Sequence, residues 1–346
     1  MKAVQFTEHG DADVIEYDEY PTPEPDDDEV LVDVKAGALN HLDVWTRRGL
    51  PGIDLEMPHV PGSDAAGVVE AVGADVSRFE RGDHVAVWSG IATGDDEFTR
   101  KGDPTLSRSF KVIGEHLPGV HSEYTTLPAE NLVPVPDEVP WETAAAAPLV
   151  FGTAWRMLVS RGDVTAGESV LVLGASGGVG HAAVQIADYA GAEVYATASS
   201  EEKLDYARDC GADHVCNYEE ERFATWIREE TDGRGVDVVV DHVGEETWED
   251  SLKCLAPGGR LLTCGATTGP NAETNVNRVF WSQLEIIGST MATPGEAETV
   301  LELVWDGTFE PRIRETLPMS ETGRAHELLE NREGFGKVVV IPDSEL

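Results

Sequence analysis

Cysteine is nearly missing from this chain of 346 residues: only Cys210, Cys216, Cys254 and Cys264 occur, and none stands in the first 209 positions. Those four show neither metal-ligand nor disulfide spacing, which excludes a disulfide scaffold and leaves each as a small apolar residue. Positive charge is also scarce, with 25 Lys and Arg against 65 Asp and Glu and a net charge of −40. That balance argues against nucleic acid and anionic membrane as partners. No run of 18 apolar residues occurs, and the opening "MKAVQFTEHG" has no apolar segment of the secretory kind, so a cytoplasmic protein is expected. Internal repeats and low-complexity tracts are missing too.

What is present suffices for a folded protein. Apolar residues make up 41% of the chain, enough for two domains with sizeable cores. The acids are spread over helices, loops and strand ends, among runs of Val, Ile and Leu that a disordered acidic chain lacks. Dispersed acid reads as a solvated surface. It resembles the composition of proteins from salt-loving organisms, where salt screens self-repulsion.

The pattern changes near the middle. Short alternating strands such as "EVLVDVKAGAL" and "AGVVEAVG", cut by Gly and Pro turns, predict a mostly β, barrel-like domain over 1–128. From Ser169 onward, β-branched strands alternate with amphipathic helices, which predicts a doubly wound parallel sheet within 129–292. The stretch 293–346 reads as one helix and a closing strand, "GKVVVIP", that returns to the first domain. The fold class is therefore α/β.

"VLVLGASGGVGHAAVQIA" joins a buried strand, a glycine-rich turn and a helix. Around Ser176 and Val179, Gly177 and Gly178 let the backbone approach a pyrophosphate, and Gly180 permits close packing of helix on strand. Free N–H groups at the helix start face the phosphates. The next strand ends in Thr197, Ala198, Ser199 and Ser200, with Lys203 one turn on and no acid at the strand end. Hydroxyls and a lysine suit a 2′-phosphate, so NADP(H) is the expected cofactor; Ser200 as an ordinary helix cap is the alternative. Tyr218 is placed in the same cofactor set.

Residues 93–107, "TGDDEFTRKGDPTLS", space Thr93, Asp96, Thr99 and Ser107 with two, two and seven residues between them. Cysteines at those four places would read as a tetrahedral zinc loop. Together with "GALNHLDVWTRRG", "PHVPGSDAAGVVEAVG", "GDHV", "HSEYTTLPAENLVPVP", "ASGGVG" and "GKVVV", this resembles the medium-chain dehydrogenase/reductase superfamily over nearly the whole chain. The resemblance implies a GroES-like catalytic domain and a Rossmann domain.

The departures from the family's zinc pattern point to its zinc-free, quinone oxidoreductase-like branch. Asn40 stands where zinc-dependent members carry cysteine, Gly62-Ser63-Asp64 replaces Gly-His-Glu, and the apolar Pro148-Leu149 segment falls near the third ligand. Zinc needs three good ligands, and this set offers at most Asp64. An improvised site from His41, Asp43 and His59 stays open, as does a hard cation in the 93–107 loop. By resemblance Asn40 donates to the substrate oxygen, Asp43 orients the local network, and Arg47 completes the motif. Trp45 walls an apolar pocket or merely packs. His41 is placed with the cofactor phosphates, Thr153 near the nicotinamide, and Gly265 and Ala266 beside the same ring. The expected activity is NADPH-dependent reduction of a quinone or α,β-unsaturated carbonyl by a homodimer or homotetramer. An alcohol or polyol dehydrogenase with substituted metal ligands and a non-catalytic NADPH-binding protein are the alternatives.

Overall fold

The computed structural model describes residues 1–331 and 334–346, which divide into two compact units: Met1–Leu149 with Ala292–Leu346, and Val150–Met291.

The first unit is built on the strand Glu29–Ala38, in which buried and half-buried residues alternate until a buried Gly-Ala end. It pairs antiparallel with Asp64–Val72, Tyr124–Pro128 and Lys337–Ile341. His84–Val87, Leu132–Pro134 and Ile313–Pro318 extend this to a seven-stranded sheet. Val30, Val32, Val34, Val69, Val85 and Leu127 form its apolar interior, the period-two face that the sequence displays. Register places the functional groups. Ala38 lies opposite both Asp64 and Val339, so the ends of three strands meet at one edge.

One boundary and one helix count differ from the expectation. The first unit runs to Leu149, past residue 128, because the helix Trp141–Ala146 packs Ala144, Ala145 and Ala146 against Ala36, Ala38, Ala66 and Val339. Alanine side chains allow that close approach of helix to sheet. The last stretch holds two helices, Pro294–Trp305 and Thr322–Glu330, where one was expected.

The second unit is a six-stranded parallel sheet in the spatial order His214–Asn217, Glu193–Ala198, Ser169–Val172, Val236–Val240, Leu255–Thr263, Glu285–Gly288. The first strand in sequence sits in the middle and the chain winds outward on both sides. Strand order therefore reverses between Ser169–Val172 and Val236–Val240, the crevice where such sheets bind ligands. Ser169–Val172 is buried throughout.

Candidate functional site

In the first unit, Asn40 precedes the helix His41–Arg48 in an extended conformation, and its backbone N–H donates to Asp43 Oδ2 at 2.7 Å. Asp43 thus caps the helix start and fixes Asn40. The Asn40 amide is held on both sides. Lys337 Nζ donates to Oδ1 at 2.6 Å, and Nδ2 donates to Asp64 Oδ2 at 2.8 Å. Lys337 also donates to Asp64 Oδ2 at 3.1 Å, and Asp64 Oδ1 accepts the Leu149 N–H at 3.0 Å. An ammonium only donates and a carboxylate only accepts, so the orientation of this amide is forced. The second Nδ2 hydrogen has no partner among the described residues, and Asn40 keeps 7% exposure.

Burial governs the electrostatics. Asp43 is fully buried, which pushes its carboxyl up to about 7; the Asp64 charge adds to this, while the Asn40 N–H and Lys337 oppose it. His121 lies directly behind, so close that a Cβ on Gly62 would come within 2.3 Å of its ring and one on Gly37 within 2.7 Å. Gly62 is also left-handed at φ +103°, so only glycine satisfies both demands. Burial, with the Lys337 cation, drives the His121 imidazole down to about 4. His326 is held well below its ordinary value by burial and by Arg47.

The structure brings Asn40 and Asp43 together and separates the other expected residues of that motif. Arg47 is fully buried, with its guanidinium on Glu330 and on the Gly10 carbonyl at 3.1 Å. That is a clamp between segments, with no surface for substrate. His41 is exposed, and its ring stands 6.2 Å from that of the half-buried Trp45, one turn further along. Ser63 Oγ donates to the Ile113 carbonyl at 2.7 Å, and His59 Nε2 pairs with the Gly114 carbonyl at 3.1 Å. Among the described residues no three His, Cys, Asp or Glu side chains gather as a metal would require. In the 93–107 loop, Asp96 accepts from the Phe98 and Thr99 N–H groups and from Ser107 Oγ at 2.7 Å, and these bonds hold its carboxyl below the usual range.

The second unit carries the glycine-rich turn. Gly177 precedes the helix Gly178–Tyr189, and a Cβ on Gly180 would lie 2.1 Å from the Gly174 carbonyl oxygen, so the close packing requires glycine there. At the end of the neighbouring strand, Lys203 Nζ donates to Ser199 Oγ at 3.1 Å. Ser200 heads the helix Glu201–Asp209 yet makes no side-chain cap, which removes the ordinary reason for its hydroxyl. Glu201, the nearest acid in sequence, is turned to Arg208 at 2.9 Å. The Tyr218 N–H donates to the Ala198 carbonyl at 3.1 Å, and its side chain is exposed. Gly265 and Ala266 follow the strand Leu255–Thr263, and Thr153 is buried in the helix Pro148–Trp155.

Sequence reasoning missed Lys337 and His121, and also Asp241 and His242 at the crevice. Asp241 is buried and accepts from the Val243 and Gly244 N–H groups and from Thr247 and Ser251, which shapes the turn after its strand. His242 Nε2 lies 3.4 Å from where a Gly174 Cβ would sit, and its Nδ1 is buried without a partner among the described residues. A charged residue next to an apolar strand, as in "GKVVV" and "VVVDHVG", is the signal that was available.

Residues 26–137 match the alcohol dehydrogenase GroES-like domain family, and residues 178–306 match the zinc-binding dehydrogenase family. The chain is 36% identical to a quinone oxidoreductase of Pseudomonas aeruginosa, over 99% of each. It is 32% identical to a crotonyl-CoA carboxylase/reductase of Cereibacter sphaeroides, over 98% of this chain and 86% of that one. A solved NAD-dependent alcohol dehydrogenase superposes with a TM-score of 0.95 at 42% identity, over 99% of each chain. The chain belongs to the medium-chain dehydrogenase/reductase superfamily, in its quinone oxidoreductase-like branch, and is an oxidoreductase.

Proposed function

We propose that this enzyme reduces a quinone or an α,β-unsaturated carbonyl with NADPH and without a catalytic metal. The observation that carries the reading is the state of the three places where zinc ligands would be expected. Asn40 is held by Lys337 and Asp64, Ser63 is spent on Ile113, and the Leu149 N–H is spent on Asp64. None is a strong zinc donor, and all are engaged. What remains is a fixed amide donor, Asn40 Nδ2, in a nearly dry setting. A conjugated carbonyl suits such a donor. Hydride arriving at the far carbon moves the π pair onto the oxygen, and a hydrogen bond there stabilises the spread charge without a Lewis acid.

Reduced nicotinamide supplies the hydride when bound. Asn40 holds the oxygen as it gains charge, Asp43 and Lys337 hold Asn40, and water supplies the proton that completes the product. Trp45 offers an apolar wall for a flat substrate. NADPH is favoured over NADH by the Lys203–Ser199 pair, by the uncapped Ser200 and by a strand end free of acid.

The resemblance to an NAD-dependent alcohol dehydrogenase at 42% identity supports a competing reading, alcohol oxidation with a metal. One experiment separates them: NADPH oxidation with a quinone and enone panel at high salt, with and without chelator, alongside zinc analysis of protein purified without chelator. Quinone or enone turnover that is indifferent to chelator, without stoichiometric zinc, is expected. One zinc per chain and activity abolished by chelator restores the alcohol dehydrogenase reading.

A second copy of this chain is the partner we infer. Glu285–Gly288 is an edge strand of the second unit's sheet, with Ile286 42% exposed. The neighbouring helix Val276–Trp281 leaves Val276, Phe280 and Trp281 exposed at 67%, 60% and 82%. An open edge beside exposed apolar side chains calls for cover.

A further inference from the structure

We propose that Lys337 is a positioning residue for the reduction: its buried ammonium, seated between Asn40 Oδ1 and Asp64 Oδ2, orients and polarises the amide that meets the substrate oxygen. This rests on the reductase reading above. The warrant is geometric. Lys337 is 3% exposed and Asp64 is fully buried, an expensive arrangement that well-packed apolar residues would often match for stability. The Lys337 ammonium is bonded to the oxygen of the very amide whose nitrogen retains a free hydrogen.

The chemistry follows from the amide itself. A cation on Oδ1 draws electron density along the conjugated O–C–N unit and makes the N–H a stronger donor. Asp64 takes one of the two N–H groups, so the amide cannot turn over and the other N–H has one direction. As hydride adds to the conjugated carbon, the π pair becomes a lone pair on the substrate oxygen. That oxygen accepts the free N–H, and the fixed positive charge stands one amide away. Nothing need reorganise at that moment, which is where preorganised donors gain their effect. Lys337 thus sets its ammonium on the oxygen end of the amide, while Asp64 fixes the nitrogen end.

A purely structural ion pair would look the same in a picture and differs in one measurable way. Lys337→Met alone leaves the Asp64 carboxylate buried without its cation and is expected to unfold readily. The charge-free pair Lys337→Met/Asp64→Asn leaves no buried charge and keeps one acceptor oxygen for the Leu149 N–H, and its melting temperature is expected to lie well above that of Lys337→Met alone. Its kcat with a quinone should still fall at least roughly tenfold, at unchanged KM and NADPH affinity. Asn40→Ala should also cost far less in that background than in the wild type, because the two residues act as one unit. A stable charge-free pair with wild-type kcat, or an equal Asn40→Ala penalty in both backgrounds, overturns the assignment alone. A wild type without turnover on any quinone or enone overturns the reductase reading, and this role with it.

Discussion

Lys337 Nζ and Asn40 Oδ1 stand 2.6 Å apart although 297 positions separate them in the chain. Strand pairing makes the contact. Val339 faces Ala38 in an antiparallel ladder, which sets Lys337 level with Asn40 where both strands reach the site.

Asn40 should therefore govern turnover more than binding. Asn40→Ala is expected to lower kcat by about 2.7–4 kcal/mol of barrier, the usual worth of one donor to a developing oxyanion. NADPH affinity, measured by fluorescence titration, should stay within twofold, because the glycine-rich turn lies in the other unit.

Cofactor choice should rest on Lys203. Lys203→Ala is expected to weaken NADPH by about 1.5–3 kcal/mol, the range for a hydrogen bond to a charged group, and to leave NADH almost untouched. Equal affinities of the wild type for both dinucleotides would remove the basis for an NADP(H) site.

Acid should destabilise the first unit through His121. Its native imidazole titrates at about 4 against an ordinary 6.5, so between those values the unfolded chain binds a proton that the native chain refuses. Stability should be intact above 6.5 and drain away as pH falls toward 4, by roughly 3 kcal/mol at about 1.4 kcal/mol per unit. Asp43 works in the opposite sense: raised to about 7, it favours the native state at low pH and loses that contribution as pH climbs through 7. Comparing urea unfolding of the wild type and His121→Asn from pH 7 to 4 isolates the histidine. Parallel curves would mean that His121 charges as easily when buried as when free.

Salt should stabilise the whole chain. At a net charge of −40, self-repulsion is strongest in dilute buffer, where the screening length reaches about 30 Å at 0.01 M. The melting temperature is expected to climb steadily from dilute buffer to molar salt. A flat profile would show the acids to be locally paired.

Assembly can be checked at one apolar face. Trp281 and Phe280 are largely exposed in the single chain, so Phe280→Glu/Trp281→Glu should leave its fold intact. Sedimentation at high salt should report a smaller species than the wild type. An unchanged mass would place any self-association elsewhere.

The sequence made most of the architecture legible for physical reasons that can be named. Continuous apolar runs such as "SVLVLGA" can be buried on both faces only in a covered parallel sheet, and "GASGGVG" needs its glycines wherever it is found. The pairings of Asp43 with the Asn40 backbone and of Lys203 with Ser199 lie within four residues, so short sequence stretches display them. Lys337, His121 and Asp241 were not legible in this way. Their roles depend on strand register and on which strand ends coincide, and a one-residue slip would have turned Lys337 to the opposite face. Arg47 shows the reverse failure: its motif was plain, while its burial against Glu330 depends on a late helix that the residue pattern did not reveal.

The unit that carries Asn40 is discontinuous, and its last strand supplies Lys337. Synthesis runs from the N-terminus, so Asn40, Asp43 and Asp64 emerge early and must wait while the whole of Val150–Met291 is made, a unit that can close on itself first. Until the final strand docks, Asp64 has no cation and the first sheet has an open position beside Glu29–Ala38. A chain cut short before that strand therefore carries both a buried acid without its counter-charge and a bare strand edge. Docking of that one strand therefore does two things at once: it brings Asp64 its counter-charge and closes the edge of the sheet.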